Sequence, residues 1–279
     1  MQAKRNMDNS ALYYMTVYRL SNACLKETED MIAEEMPVAL VYNGISHVVL
    51  MATPQNLAEL ALGFSLSEGI LAQAGELYDV EVRTSAKGAE VHMEIAAARF
   101  AALKERRRNM SGRTGCGLCG IDSLAAVMPD IAPVRRTGKT DADQIDRVLQ
   151  QFDDFQPLRK QTGALHAAAW VEEGEIRQTF EDVGRHNALD KLLGHLAKNN
   201  IDRAQGWVLV SSRASYEMVA KAAKLGIGCL VAVSAPTAMA IRLADAANLT
   251  LIGFARAGRQ TVYTHAEFLN TKSSSYANI

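Results

Sequence analysis

The chain has 279 residues, 48% of them apolar and 22% charged, which is enough hydrophobic material for one large α/β domain or two modest ones and argues against disorder. Thirty Lys and Arg face 31 Asp and Glu, a formal charge of -1, so the electrostatic footprint of a general nucleic-acid binder is missing. Four cysteines are too few for a disulfide scaffold, and no apolar run approaches the roughly 20 residues of a membrane span. Asp8, Asn9 and Ser10 follow Lys4 and Arg5 where a signal peptide needs an apolar segment. These features predict a soluble cytoplasmic protein with reduced thiols, binding neither nucleic acid nor membrane.

Residues 1–34 are polar and mixed and read as a flexible arm. Pro37 to Tyr42 reads as a strand, Asn43-Gly44 as a hairpin turn and Ser46 to Ala52 as the return strand. Thr53-Pro54 has the form of a helix cap followed by proline at the first position, opening a helix whose apolar face uses Leu57, Leu60, Ala61, Phe64 and Leu66. Val80 to Arg83 and Val91 to Ile95 suggest a second hairpin around Lys87-Gly88, and Ala96 to Met110 a helix. Residues 35–110 thus read as a small α+β domain of short antiparallel strands.

The texture then changes. Ser111 to Gly120 carries four glycines and no apolar periodicity, the pattern of a mobile loop, and Pro129 to Gly138 reads as a linker. Residues 111–139 therefore separate the small domain from a second one over 140–270, with a polar tail over 271–279. In the second domain Asp141 or Thr140 caps a helix running through Phe152, and Leu165 to Val171 and Ile176 to Glu181 form strands around a Glu173-Gly174 turn. A helix follows from about His186 to Lys198. Strands at Trp207 to Val210, Cys229 to Val233 and Thr250 to Phe254 then alternate with helices at Tyr216 to Leu225 and Thr237 to Ala247. These strands are nearly continuous apolar runs, as expected of parallel strands with helices on both faces of the sheet.

Cys116 and Cys119 form a C-x-x-C, and three chemistries compete for it. A structural zinc needs four ligands, yet Cys24 and Cys229 lack metal-type spacing and no His lies near the pair, so no metal is expected. A thioredoxin-like redox pair sits at a helix start, whereas both of these cysteines are flanked by glycine. The third reading is a thiol that carries a group on a mobile arm. Arg106, Arg107, Arg108 and Arg113 would favour its thiolate, which could attack a persulfide or disulfide sulfur. Two accidental exposed thiols would be an oxidation liability, which favours chemistry over accident.

The second domain repeats one feature. Glu181 to Asn187, Ser211 to Ser215 and Ser234 to Thr237 each join a strand to a helix. Free N–H groups at helix starts favour anions, and loops after parallel strands line the usual ligand crevice. Arg185, Arg213 and the serines of these starts, Ser211 among them, suit a phosphorylated ligand, and His166 opens a strand. Phe254-Ala255-Arg256-Ala257-Gly258-Arg259 ends the last strand in a basic turn of the same character.

Together these segments resemble the FdhD family, sulfur carrier proteins required for formate dehydrogenase activity. The resemblance rests on Pro37 to Gly44, Gly63 to Gly69, Gly112 to Gly120, His166 to Ala169, Glu181 to Lys191, Val210 to Glu217 and the final Gly-Arg turn, and spans about Glu35 to His265. It implies a cytoplasmic sulfurtransferase that takes persulfide sulfur from a cysteine desulfurase on Cys116, with Cys119 as partner. The sulfur passes to a bound client, the molybdenum cofactor bis(molybdopterin guanine dinucleotide), for the formate dehydrogenase apoenzyme, with no permanent cofactor. The cofactor-binding stretch maps onto Phe254 to Arg259, the assembly is expected to be a homodimer, and the fold is α/β with a cytidine-deaminase-like C-terminal domain. Where deaminases carry zinc ligands this chain has Arg185-His186-Asn187 and Ser211-Ser212-Arg213, which does not support deamination. The alternative is a non-catalytic cofactor chaperone that holds the guanine nucleotide ends, for which the cysteines would be dispensable.

Overall fold

Asn43 and Gly44 both take positive φ, 44° and 78°, the backbone that a two-residue hairpin turn requires. They join β3 (Met36–Tyr42) to β4 (Ile45–Ala52), as the sequence predicts. The structure, a computed structural model, describes residues 11–110, 131–135 and 138–271. Residues 12–33, assigned to a flexible arm by sequence, form a β-hairpin of β1 (Leu12–Ser21) and β2 (Cys24–Ala33). Its alternation places Tyr14, Tyr18 and Leu20 on one exposed face, with Leu25 opposite Leu20.

The helix α1 covers Leu57–Ser67 and begins later than Thr53-Pro54 suggests, after Asn56 in the left-handed region. Thr53 is instead fully buried. Its N–H donates to Asp182 Oδ2 at 3.1 Å, and its hydroxyl accepts from the Val183 N–H at 3.2 Å. A distant acidic side chain has captured the residue that a local rule made a cap. Next come β5 (Leu77–Ser85), β6 (Gly88–Ile95) and α2 (Ala97–Met110). The sheet order is β4-β3-β6-β5, and β3 pairs with β6 in parallel, so this sheet is mixed and not wholly antiparallel.

The second sheet contains β8 (His166–Glu172), β9 (Glu175–Asp182), β10 (Gly206–Val210), β11 (Cys229–Ala232), β12 (Thr250–Arg256) and β13 (Arg259–Val262). Its order is β13-β12-β11-β10-β8-β9. The β10-β11-β12 pairs are parallel, as the sequence predicts for these three strands, and β8 joins them antiparallel to β10. Before it, α3 (Ala142–Gln151) is capped by Asp141, whose carboxylate accepts from the Asp143 N–H at 2.8 Å. The short α4 (Pro157–Thr162), absent from the sequence reading, packs beside β2. A two-residue parallel pair joins β7 (Thr140–Asp141) to β14 (Leu269–Asn270).

The remaining helices are α5 (Arg185–Lys198), α6 (Tyr216–Lys224) and α7 (Ala238–Ala246). One core unites both sheets: Val38, Leu40 and Met93 from the small sheet, Leu60 of α1, Leu189, Leu192 and Leu193 of α5, and Trp170, Val208 and Leu230 from the large sheet. The opposite face of the large sheet packs Ala169, Trp207 and Val231 against Ile145 and Val148 of α3. Helices α1 and α5 approach through two glycines. A Cβ at Gly63 would lie 1.8 Å from the Asp190 carbonyl oxygen, and one at Gly194 2.0 Å from that of Glu59. No larger residue fits this crossing without moving a helix. Within the linker, Val134 is buried, its N–H donating to Ala247 O at 2.8 Å. Among the described residues no helix is long and apolar enough to cross a membrane.

Candidate functional site

The strand order collects the polar residues at one edge of the large sheet. The starts of α6 and α7 follow the C-terminal ends of β10 and β11, and the reversed β8 brings its first residue, His166, to the same edge. His166 stands opposite Asp182 across β8 and β9. Ser211 is tied to β8 in both directions: its N–H donates to Ala167 O at 3.0 Å, and its Oγ accepts from the Ala167 N–H at 2.9 Å. The loops before α6 and α7 run together, with the Ser234 N–H donating to Ser212 O at 3.3 Å. Phe254 completes the row, its N–H donating to Ser234 O at 3.1 Å.

Buried charges fix the start of α5 and the last turn of α6. Asp182 and Lys191 are both fully buried, their side chains 2.7 Å apart. Asp182 also accepts from the Gly184 N–H at 2.8 Å and from Asn187 Nδ2 at 2.9 Å, which holds the first turn of α5 against β9. Burial pushes the Lys191 pKa down, and the Asp182 charge opposes that. At α6, Lys221 lies 2.8 Å from Glu68 and 3.0 Å from Asp190, and donates to Ser67 Oγ at 2.8 Å. Burial works against the Lys221 charge, but Asp190 and Glu68 outweigh it and raise its pKa. Burial raises the Asp190 pKa against the opposing pull of Lys221.

At the edge itself, polar atoms are left over. Arg185 Nε and Ser215 Oγ are buried and make no hydrogen bond among the described residues, although Ser215 occupies the cap position of α6. His186 Nε2 lies 2.9 Å from Glu217 Oε2 yet is out of line for a hydrogen bond. Burial, reinforced by Arg185 and Arg159, lowers the His166 pKa. Burial also lowers that of His186, outweighing Glu217. Burial thus disfavours the charged form of both imidazoles. Arg213 is exposed. The set combines cationic groups, N–H donors and hydroxyls, suited to an oxyanion.

The predicted basic turn mixes exposed and buried residues. Phe254 takes φ 49° at a β-bulge and is exposed, whereas Ala255 is buried. The Arg256 guanidinium donates to the carbonyl oxygens of Val233 and Ala255, so it closes the end of β11. At the tip beside Ala257, the Gly258 N–H donates to Asp146 Oδ1 at 3.0 Å, and Gln260 Nε2 donates to the same oxygen. Asp146 of α3 thus supports the tip of the turn through one carboxylate oxygen. Arg259 remains exposed. Sequence reasoning missed Asp146 and Glu217, because each looks like an ordinary polar helix residue; the only signal was their place near helix starts.

Cys116 and Cys119, with their whole glycine-rich loop, lie outside the described residues. Cys24 is exposed and Cys229 buried. Among the described residues no group of three or more His, Cys, Asp and Glu is placed to hold a metal ion.

The fold is a mixed α/β one built on two main sheets, with helix starts that converge at one edge of the larger sheet. The FdhD/NarQ family model matches residues 33–270, and the chain belongs to that family. A curated relative, the sulfur carrier protein FdhD of Cupriavidus necator, is 54% identical over 246 residues, covering 88% of this chain and 85% of the relative. The fold is also that of a crystal structure from Desulfotalea psychrophila, a protein provisionally assigned as a formate dehydrogenase accessory protein. That match has a TM-score of 0.74 and 21% identity, over 94% of this chain and 100% of the other.

Proposed function

We propose that this protein is a sulfur carrier for formate dehydrogenase maturation. The observation that carries the reading is the 54% identity, over most of both chains, to a protein described as a sulfur carrier. In the proposed reaction the Cys116 thiolate attacks the outer sulfur of a desulfurase persulfide, leaving the desulfurase thiolate and a persulfide on Cys116. Attack by Cys119 on the inner sulfur would then release the outer one as sulfide and leave a Cys116–Cys119 disulfide for a cellular thiol to reduce. The sulfur acceptor is the molybdenum cofactor, bis(molybdopterin guanine dinucleotide), as substrate.

The loop edge is proposed to hold its guanine nucleotide ends. The unpartnered Arg185 Nε and Ser215 Oγ, together with Ser211, Arg213 and His166, support that assignment. The exposed Phe254 and Arg259 offer a stacking ring and a cation at its far end, whereas Ala255 and Arg256 shape the bulge. The strand order β9-β8-β10-β11-β12 supports a cytidine-deaminase-like reading of the domain over 140–270, with 35–110 as the small domain and 111–139 as the loop and linker. A cytoplasmic homodimer that meets a desulfurase and the apoenzyme completes the proposal.

The test is an intact-mass measurement after incubation with a desulfurase and cysteine. One sulfur should be gained reversibly on the loop peptide and lost in Cys116→Ala, which should also fail to restore formate dehydrogenase activity in cells. Full activity with both cysteines replaced would favour the cofactor chaperone.

A further inference from the structure

The end of the large sheet opposite the loop edge contains a cavity whose chemistry the proposed function does not use. It has a volume of about 230 Å³ and lies where β10 and β11 begin, lined there by Gly206, Trp207 and Gly228. The length of β10 separates it from the loop edge by roughly 16 Å.

Three cationic side chains line this cavity: Arg135, Lys139 and Arg203. Among the described residues none of the three is ion-paired, although the chain as a whole carries a formal charge of only -1. The rim carboxylate, Glu173, is 2.9 Å from Arg177 and is turned to that partner. Two buried N–H donors, Arg203 Nε and Trp207 Nε1, make no hydrogen bond among the described residues. Trp207 is only 3% exposed, so water has little access to it. A buried donor without an acceptor is costly, and native proteins leave few of them. Burial disfavours the Arg203 charge, and the neighbouring Asp202 compensates only in part.

We infer that this cavity binds a small oxyanion, at a site separate from the loop edge. Guanidinium, ammonium and indole groups only donate, so the ligand must supply acceptors and negative charge. Thr140 and Gln144, at the start of α3, add neutral polar contacts on one wall. The volume lies below the roughly 300–1,000 Å³ of sites for drug-sized ligands, which suits a free phosphate-sized anion better than a whole nucleotide. The inference does not depend on sulfur transfer.

Calorimetric titration of the full chain with inorganic phosphate tests it. Phosphate should bind in the millimolar range or tighter, and should still bind with GDP in excess. Arg203→Gln should weaken binding about tenfold, the usual scale of one charge-assisted hydrogen bond. Lys139→Gln, an exposed position that tolerates substitution if the Arg203 variant folds poorly, should weaken it about threefold. Arg83→Gln, an exposed arginine on β5, should bind as the unmodified chain does. Trp207 emission should change during the titration. Absence of phosphate binding at millimolar concentration overturns the inference. So does unchanged binding in both Arg203→Gln and Lys139→Gln, and so does displacement of phosphate by GDP, which would place the anion at the loop edge.

Discussion

Helices α5 and α6 belong to two environments at once. Along their bodies they form the seam between the two sheets, and at their first turns they form the loop edge. In the seam the polar groups are matched: Lys191 meets Asp182, Lys221 meets Asp190 and Glu68, and Asn187 Nδ2 donates to Met51 O at 2.7 Å. At the edge Arg185 Nε and Ser215 Oγ have no partner among the described residues. The same helices thus place their internal satisfaction where the sheets meet and their unused donors where a ligand can arrive. Stability and binding should therefore separate by position along a single helix.

Lys191→Met should show the largest effect. It leaves a fully buried Asp182 without its cation, and removing one partner of such a pair costs about 3–5 kcal/mol. Denaturant unfolding measures it, and a loss under about 1 kcal/mol would mean the seam is not what holds α5. Gly194→Ala comes next, expected to cost about 1–3 kcal/mol or more because a Cβ there would sit 2.0 Å from the Glu59 carbonyl oxygen. Arg185→Gln addresses the other environment. Thermal stability should stay within about 0.5 kcal/mol, while GDP affinity measured by calorimetry falls about tenfold. A large stability loss with unchanged GDP binding would reverse the assignment of that residue.

The smallest effect is in pH. Burial holds the His166 and His186 pKa values below the ordinary imidazole value. Below about pH 6.5 the unfolded chain then binds more protons than the folded one, so stability is present above that pH and falls as the pH drops towards the folded values. Both groups are partly open to solvent, so their joint effect should stay near 1 kcal/mol or below. Melting curves between pH 7.5 and 5.5 should show the decline, with a shallower slope in His186→Gln.

What the sequence by itself determined is local. Asn43-Gly44 set the β3-β4 hairpin, Asp141 capped α3 and Thr237 capped α7, because each acts on its own backbone or on atoms a few residues away. The apolar runs of β10, β11 and β12 located the central sheet, and the serine and arginine positions after them located the edge that the strand order assembles. Tertiary structure alone decided the rest. Thr53 left its expected capping role because Asp182, 129 residues away, offered its N–H a buried acceptor. Residues 12–33 became a hairpin, and β3 paired in parallel with β6, where sequence suggested an arm and antiparallel strands. Asp146, from α3, came to accept from the Gly258 amide, 112 residues away. Each of these outcomes depends on a partner far along the chain, and local periodicity and turn chemistry carry no record of which distant group burial will bring within hydrogen-bonding range.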